Sequence, residues 1–230
     1  MDTIAAASAS RLRNTLSAID ISVPLRTEGR TTDHAETWSI CRFLATFSEV
    51  FEYPLTLSHQ DRPDFLLAEP GRKIGIEVTE LVPRNYAAID AYREKRNVEG
   101  PFGLQRHNPE DPPLRGPALA AQAESVDSGD VWVGDSVERD WAAAARVAIC
   151  GKITKADKDG FERFDEDWLL IYDNWPVPGL DQEKAILLLA QHLNSIKNLP
   201  FHRIVVEFST NFWVYERPES YTRKIVNLWQ

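Results

Sequence analysis

The segment from Arg62 to Thr79 constrains the fold more than any other part of the chain. It reads Arg62-Pro63-Asp64-Phe65-Leu66-Leu67, then a short polar link from Ala68 to Lys73, then Ile74-Gly75-Ile76-Glu77-Val78-Thr79. The link holds Pro70 and Gly71, turn formers that are expected to fold the two apolar runs into a hairpin. Strand side chains alternate between faces, so Ile74, Ile76 and Val78 share one side while Gly75, Glu77 and Thr79 share the other. Asp64 and Glu77 then sit on neighbouring strands. An acid inside such an apolar run is costly to bury alone, and a divalent cation is the most effective partner for two converging carboxylates. The plain alternative is that Asp64 opens a strand after a turn and Glu77 pairs with an arginine such as Arg62 or Arg72.

Around this hairpin the pattern predicts helices and strands in a regular order. Thr32 or Asp33 offers an N-cap for a helix running to about Val50, with Ile40, Phe43, Leu44 and Phe47 on its apolar face. Glu36 falls on that inward face, an unusual place for an acid. Tyr53 to Ser58 alternates like a strand and completes a three-strand meander with the hairpin. Tyr86 to Arg96 reads as a short helix, and Asn97 to Pro117 as a long Pro- and Gly-rich loop. Asp135 or Ser136 caps a further helix with Val137, Trp141, Ala144, Ala145, Ala148 and Ile149 at helical spacing, ended by Gly160. Trp168 to Tyr172 and Ile204 to Phe208 have the texture of buried central strands, and Gln182 to Ile196 that of an amphipathic helix. Phe212 to Tyr215 and the basic, aromatic tail read as edge structure. Ala5 to Ile19 is a weakly amphipathic, frayed helix.

From Asp33 to Trp175 the chain resembles the PD-(D/E)XK nuclease superfamily. The literal Pro63-Asp64, the acid-x-polar triplet Glu77-Val78-Thr79 on the next strand and the order of elements carry the resemblance. It implies an α/β fold in which a mixed central sheet carries helices on both faces, the restriction-endonuclease-like αβββαβ core. It further implies metal-dependent phosphodiester hydrolysis of nucleic acid, with DNA the favoured substrate. Asp64, Glu77 and the Val78 carbonyl would hold Mg²⁺ or Mn²⁺, joined by Glu36, which resembles the first-helix acid of many members. The family's motif lysine is missing. Thr79 stands in its place, and a hydroxyl supplies no positive charge. Some branches move the lysine to the helix after the third strand, which makes Lys152 the candidate and Lys155, one turn on, the reserve. Gly151 beside Lys152 costs about 1 kcal/mol of helix propensity relative to Ala and points to a close backbone contact. The plain alternatives are a solvated lysine at a helix C-terminus for Lys152 and a dipole-favoured N-terminal acid for Glu36.

Composition bounds the rest. With 230 residues and 43% hydrophobic content, one domain is expected over residues 31–230, with residues 1–30 as an N-terminal appendage and an insertion at about 83–130. Cys41 and Cys150 suit buried, reduced thiols. The absence of a leader-like N-terminus and of any apolar run near the roughly 18 residues of a membrane span suits a soluble, cytoplasmic chain. A net charge of −9 runs against phosphate binding, which depends on Lys and Arg releasing counterions. Arg84, Arg93, Lys95, Arg96, Arg106 and Arg115 cluster after the Glu77 strand, however, and would clamp a nucleic-acid strand. The rival reading is an inactive nuclease-fold module binding another protein or nucleic acid, with a homodimer also open. A third is an α/β binding protein outside the family. The calcium-loop echo at Asp157-Lys158-Asp159-Gly160 has Lys155 where the first acid belongs, and no zinc spacing, phosphate loop or nucleophile elbow is present.

Overall fold

The computed structural model of the chain describes residues 1–99, 106–125, 132–156 and 162–229. In chain order the elements are β1 (Ile4–Ala6), α1 (Ala9–Ser17), a 3-10 turn (Arg26–Glu28), α2 (Thr32–Phe47), β2 (Leu55–His59), β3 (Phe65–Glu69), β4 (Arg72–Leu81), α3 (Arg84–Arg96), α4 (Gly116–Glu124), α5 (Ser136–Ala156), β5 (Glu166–Asp173), α6 (Gln182–Ser195), β6 (Arg203–Phe208), β7 (Asn211–Glu216) and β8 (Glu219–Lys224). The expected end of the fifth helix at Gly160, the calcium-loop echo and the middle of the expected long loop lie outside the described residues.

The strands form one open mixed sheet in sequence order, β1 to β8. Pairing is antiparallel from β1 to β4, parallel from β4 through β5 to β6, and antiparallel again to β8. The hairpin read from Pro70-Gly71 is present: Glu69 pairs with Arg72, and Gly71 takes a φ of +76° that an L side chain resists. Strand alternation builds two cores. Ile74, Ile76, Val78, Trp168 and Leu170 face α1 and α2, against Leu12, Leu16, Phe43 and Leu44. Leu81, Leu169, Ile171, Ile204 and Val206 face α5 and α6, against Trp141, Ile149 and Leu189. The fold is therefore α/β, with helices on both faces of a mixed sheet.

Several expectations change. Residues 1–30 are built into the domain rather than appended to it. Ser8 caps α1 by accepting from Arg11 N, Leu12 and Leu16 are fully buried, and β1 extends the sheet on β2. Arg26 holds Asp90 at 2.6 Å and Glu94 at 2.9 Å, tying this region to α3. The expected loop gives way at its last two residues to helix α4, which Pro117 enters in its first turn, where the missing N–H costs no helical bond. β7 is no edge: Phe212, Trp213, Val214 and Tyr215 are buried between β6 and β8. The tail after β8 returns to the start of the chain, with Trp229 Nε1 donating to the Ile19 carbonyl at 2.9 Å. Cys41 is buried as expected but Cys150 is exposed, on the outer side of α5. Trp175, the last residue of the stretch that carries the resemblance, is 3% exposed and belongs to the core on the α5 and α6 side. Among the described residues, no helix is long and apolar enough to cross a membrane.

Candidate functional site

Phe65 pairs with Ile76 at the open end of the β3–β4 ladder, so one step further along the same register Asp64 stands opposite Glu77. Two contacts set the acid in place. Val78 N–H donates to Asp64 Oδ2 at 2.6 Å, extending the cross-strand bonding past its last pair, and Gln60 N–H donates to the Asp64 carbonyl at 3.0 Å, closing the turn from β2. Val78, expected to bring its carbonyl to this site, contributes its amide. Glu77 points to the α5 side of the sheet, since its neighbours Ile76 and Val78 belong to the α2-side core. Gly75, two residues before it on the same side, is a required glycine: a Cβ there would lie 2.6 Å from the Phe164 ring and 3.1 Å from Asp167 Oδ1.

Helix α5 delivers the third member. Trp141, Ala145 and Ile149 run down its buried face, and Lys152 continues that stripe one turn further. Its Nζ lies 2.6 Å from Glu77 Oε2 and 3.3 Å from Asp64 Oδ2, and the three side chains are 11%, 12% and 19% exposed. One ammonium thus sits between two carboxylates in a largely dehydrated position, where charge interactions are screened far less than on the surface. Arg72, a rival partner for Glu77, binds Glu69 and Glu166 instead.

The remaining expected residues divide. Thr79, Arg84 and Lys155 line a cleft of about 530 Å³ that Lys152 borders. Gly151 also lines it and has open space where a side chain would be, so the close backbone contact expected there is absent. Glu80, Glu110 and Asp111 stand on the same walls, which leaves the cleft mixed in sign. Of the basic cluster, Arg84, Lys95, Arg96 and Arg115 are exposed, Arg96 lying 5.7 Å over the Tyr92 ring. Arg93 and Arg106 have structural work rather than the expected clamp role. Arg93 is buried and donates to the carbonyls of Ala123 and Glu99, and Arg106 grips Asp140 at 2.6 Å.

Glu36 belongs to a different group. Its Oε2 lies 3.2 Å from His59 Nε2, and the His59 ring stacks on Phe65 at 4.7 Å, on the α2 side of the sheet. Burial, and next the nearby Asp64 charge, push the Glu36 carboxyl above the ordinary range; the His59 contact opposes this, and Asp33 adds to it. Asp33, Glu36 and His59 bring their donor atoms within 4.8 Å of one another. Among the described residues Glu36 makes no such group with Asp64 and Glu77. His59 went unread as a site residue, although it continues the inward series Leu55, Leu57 along β2.

No protein-family model, curated protein or solved structure matches this chain.

Proposed function

We propose that Asp64, Glu77 and Lys152 form the centre of a metal-dependent phosphodiesterase acting on nucleic acid, DNA first, in a restriction-endonuclease-like core of the PD-(D/E)XK kind. The observation that carries the reading is the position of Lys152 Nζ in contact with both acids, 2.6 Å from one and 3.3 Å from the other. The element order α2, β2, β3, β4, α5, β5 supports the same reading.

The donor set suits a hard cation, since two carboxylates are opposed across one hairpin and an ammonium already lies between them. Mg²⁺ or Mn²⁺ bound there would offset phosphate charge and lower the pKa of a bound water. The residues themselves do three things. Asp64, held by the Val78 amide, and Glu77 fix the geometry of the anionic pocket. Lys152 supplies positive charge beside the scissile phosphate, the role that Thr79 cannot fill. Thr79 and Lys155 face the adjoining cleft, where a hydroxyl and an ammonium can orient a phosphate neighbouring the cut. Incubation of the purified chain with plasmid DNA or RNA in Mg²⁺ or Mn²⁺ tests this. Cutting must appear, and must vanish in Glu77→Ala.

A second reading has its own support. With Arg93 and Arg106 committed internally and the chain at −9, the electrostatic attraction for a polyanion is weaker than the sequence cluster suggested. On that reading the fold is an inactive module that binds another protein. Calorimetric titration with Mg²⁺ separates the two: no metal-dependent heat, and equal stability with and without the ion, favours the module.

A further inference from the structure

We propose that Asp33, Glu36 and His59 form a binding site for a zinc-class divalent transition ion, separate from the Asp64–Glu77 pair. The site stands whether or not the chain cuts nucleic acid, because it shares no residue with the catalytic group.

Three features carry it. The donors come from two elements, Asp33 and Glu36 from successive turns of α2 and His59 from the end of β2, so an ion would bridge helix to sheet. The donors are pre-aimed. His59 Nε2 is already 3.2 Å from Glu36 Oε2, and stacking on Phe65, with rings 4.7 Å apart and 21° from parallel, fixes the imidazole plane. Charge at Glu36 is also unbalanced. The charged groups that act on it most are Asp64, His59 and Asp33, in that order, and among the described residues no lysine or arginine pairs with it. Two acids therefore repel it while one imidazole offers weak relief, and a cation would answer all three.

The donor chemistry selects the ion. One imidazole and two carboxylates match zinc and its neighbours, whereas magnesium favours oxygen ligands and retained water. Zinc bonds of about 2.0–2.2 Å place neighbouring donor atoms roughly 3–4 Å apart. The Glu36–His59 distance already falls in that range, and all three donor atoms lie within 4.8 Å of one another, with Asp33 on the exposed side of the group. Three protein ligands leave room for water or an external group at the ion.

The test is titration of the chelator-stripped full chain with Co²⁺, a coloured stand-in for zinc, followed by visible absorption and calorimetry. Wild type should bind an ion with a d–d band, in addition to any held by Asp64 and Glu77, and keep that band in Glu77→Gln. Asp33→Asn, at an exposed position that leaves the core untouched, should weaken that ion by more than the about 10–100-fold that loss of a mere supporting group costs. His59→Ala should abolish the band. Failure to saturate in wild type, or a band unchanged in Asp33→Asn, overturns the proposal even if His59→Ala fails to fold. Loss of the band in Glu77→Gln with Asp33→Asn unaffected also overturns it, by assigning the ion to the other pair.

Discussion

Lys152, on helix α5, places its ammonium nitrogen 2.6 Å from Glu77 Oε2, on strand β4, across 75 positions of sequence. Helix α5 thus returns to the sheet the positive charge that the β4 triplet lacks. If that charge serves hydrolysis, Lys152→Met should slow cleavage by about 10²–10³, the loss expected when one stabilising donor is removed. Thr79→Lys in the same protein should restore part of the rate, because Thr79 opens on the cleft that Lys152 borders. Single-turnover rates on a DNA substrate for the single and double variants check both. A double variant no faster than Lys152→Met would count against charge as the role of Lys152.

The N-terminal residues carry stability. Leu12 is fully buried on the α2-side core, and Leu12→Ala should cost about 2–5 kcal/mol through lost burial and the cavity left behind. Urea unfolding should show a lower midpoint at an unchanged slope. A shift below about 0.5 kcal/mol would mean that α1 docks only loosely.

Glu207 should set a pH dependence. It is 3% exposed, its Oε1 accepts from Arg42 Nε at 2.7 Å, and its buried Oε2 has no hydrogen-bond partner among the described residues. Burial pushes its carboxyl up to about 7 from an ordinary 4.5, against the pull of Arg42. The folded state therefore holds the proton more tightly than the unfolded chain. The resulting stability is fully present below the ordinary carboxyl value and is lost as pH rises through about 7. Glu207→Gln keeps an acceptor for Arg42 without the charge, and should flatten the decline between about pH 5 and pH 8 by roughly 1–3 kcal/mol. Parallel denaturation curves at the two pH values measure it. An equal slope in both proteins would place the dependence elsewhere.

What the sequence disclosed follows from how local each signal was. The β3–β4 hairpin was legible because alternation and Pro70-Gly71 agree within a few residues, whereas Lys152 was named only through the family resemblance, and its place at the end of the stripe Trp141, Ala145, Ile149 is what sets it beside the sheet. β1 was not, since Ile4-Ala5-Ala6 is too short to show a period and becomes a strand only by pairing with β2. Which arginine of a basic run is free is equally hidden. Arg93 and Arg106 find their partners 30 and 34 residues away, in segments whose placement depends on tertiary packing. The Glu36–His59 contact joins a helix to a strand 23 residues later, and the inward position of Glu36 was the one local hint of it.

On the proposed function, Asp64 and Glu77 form one cation pocket. Anomalous diffraction from a crystal soaked in Mn²⁺ addresses it most directly. A peak is expected within about 2.0–2.6 Å of oxygens from both side chains, with Lys152 drawn aside. A map in which Lys152 still bridges the two acids and no peak lies beside them at saturating Mn²⁺ would contradict it.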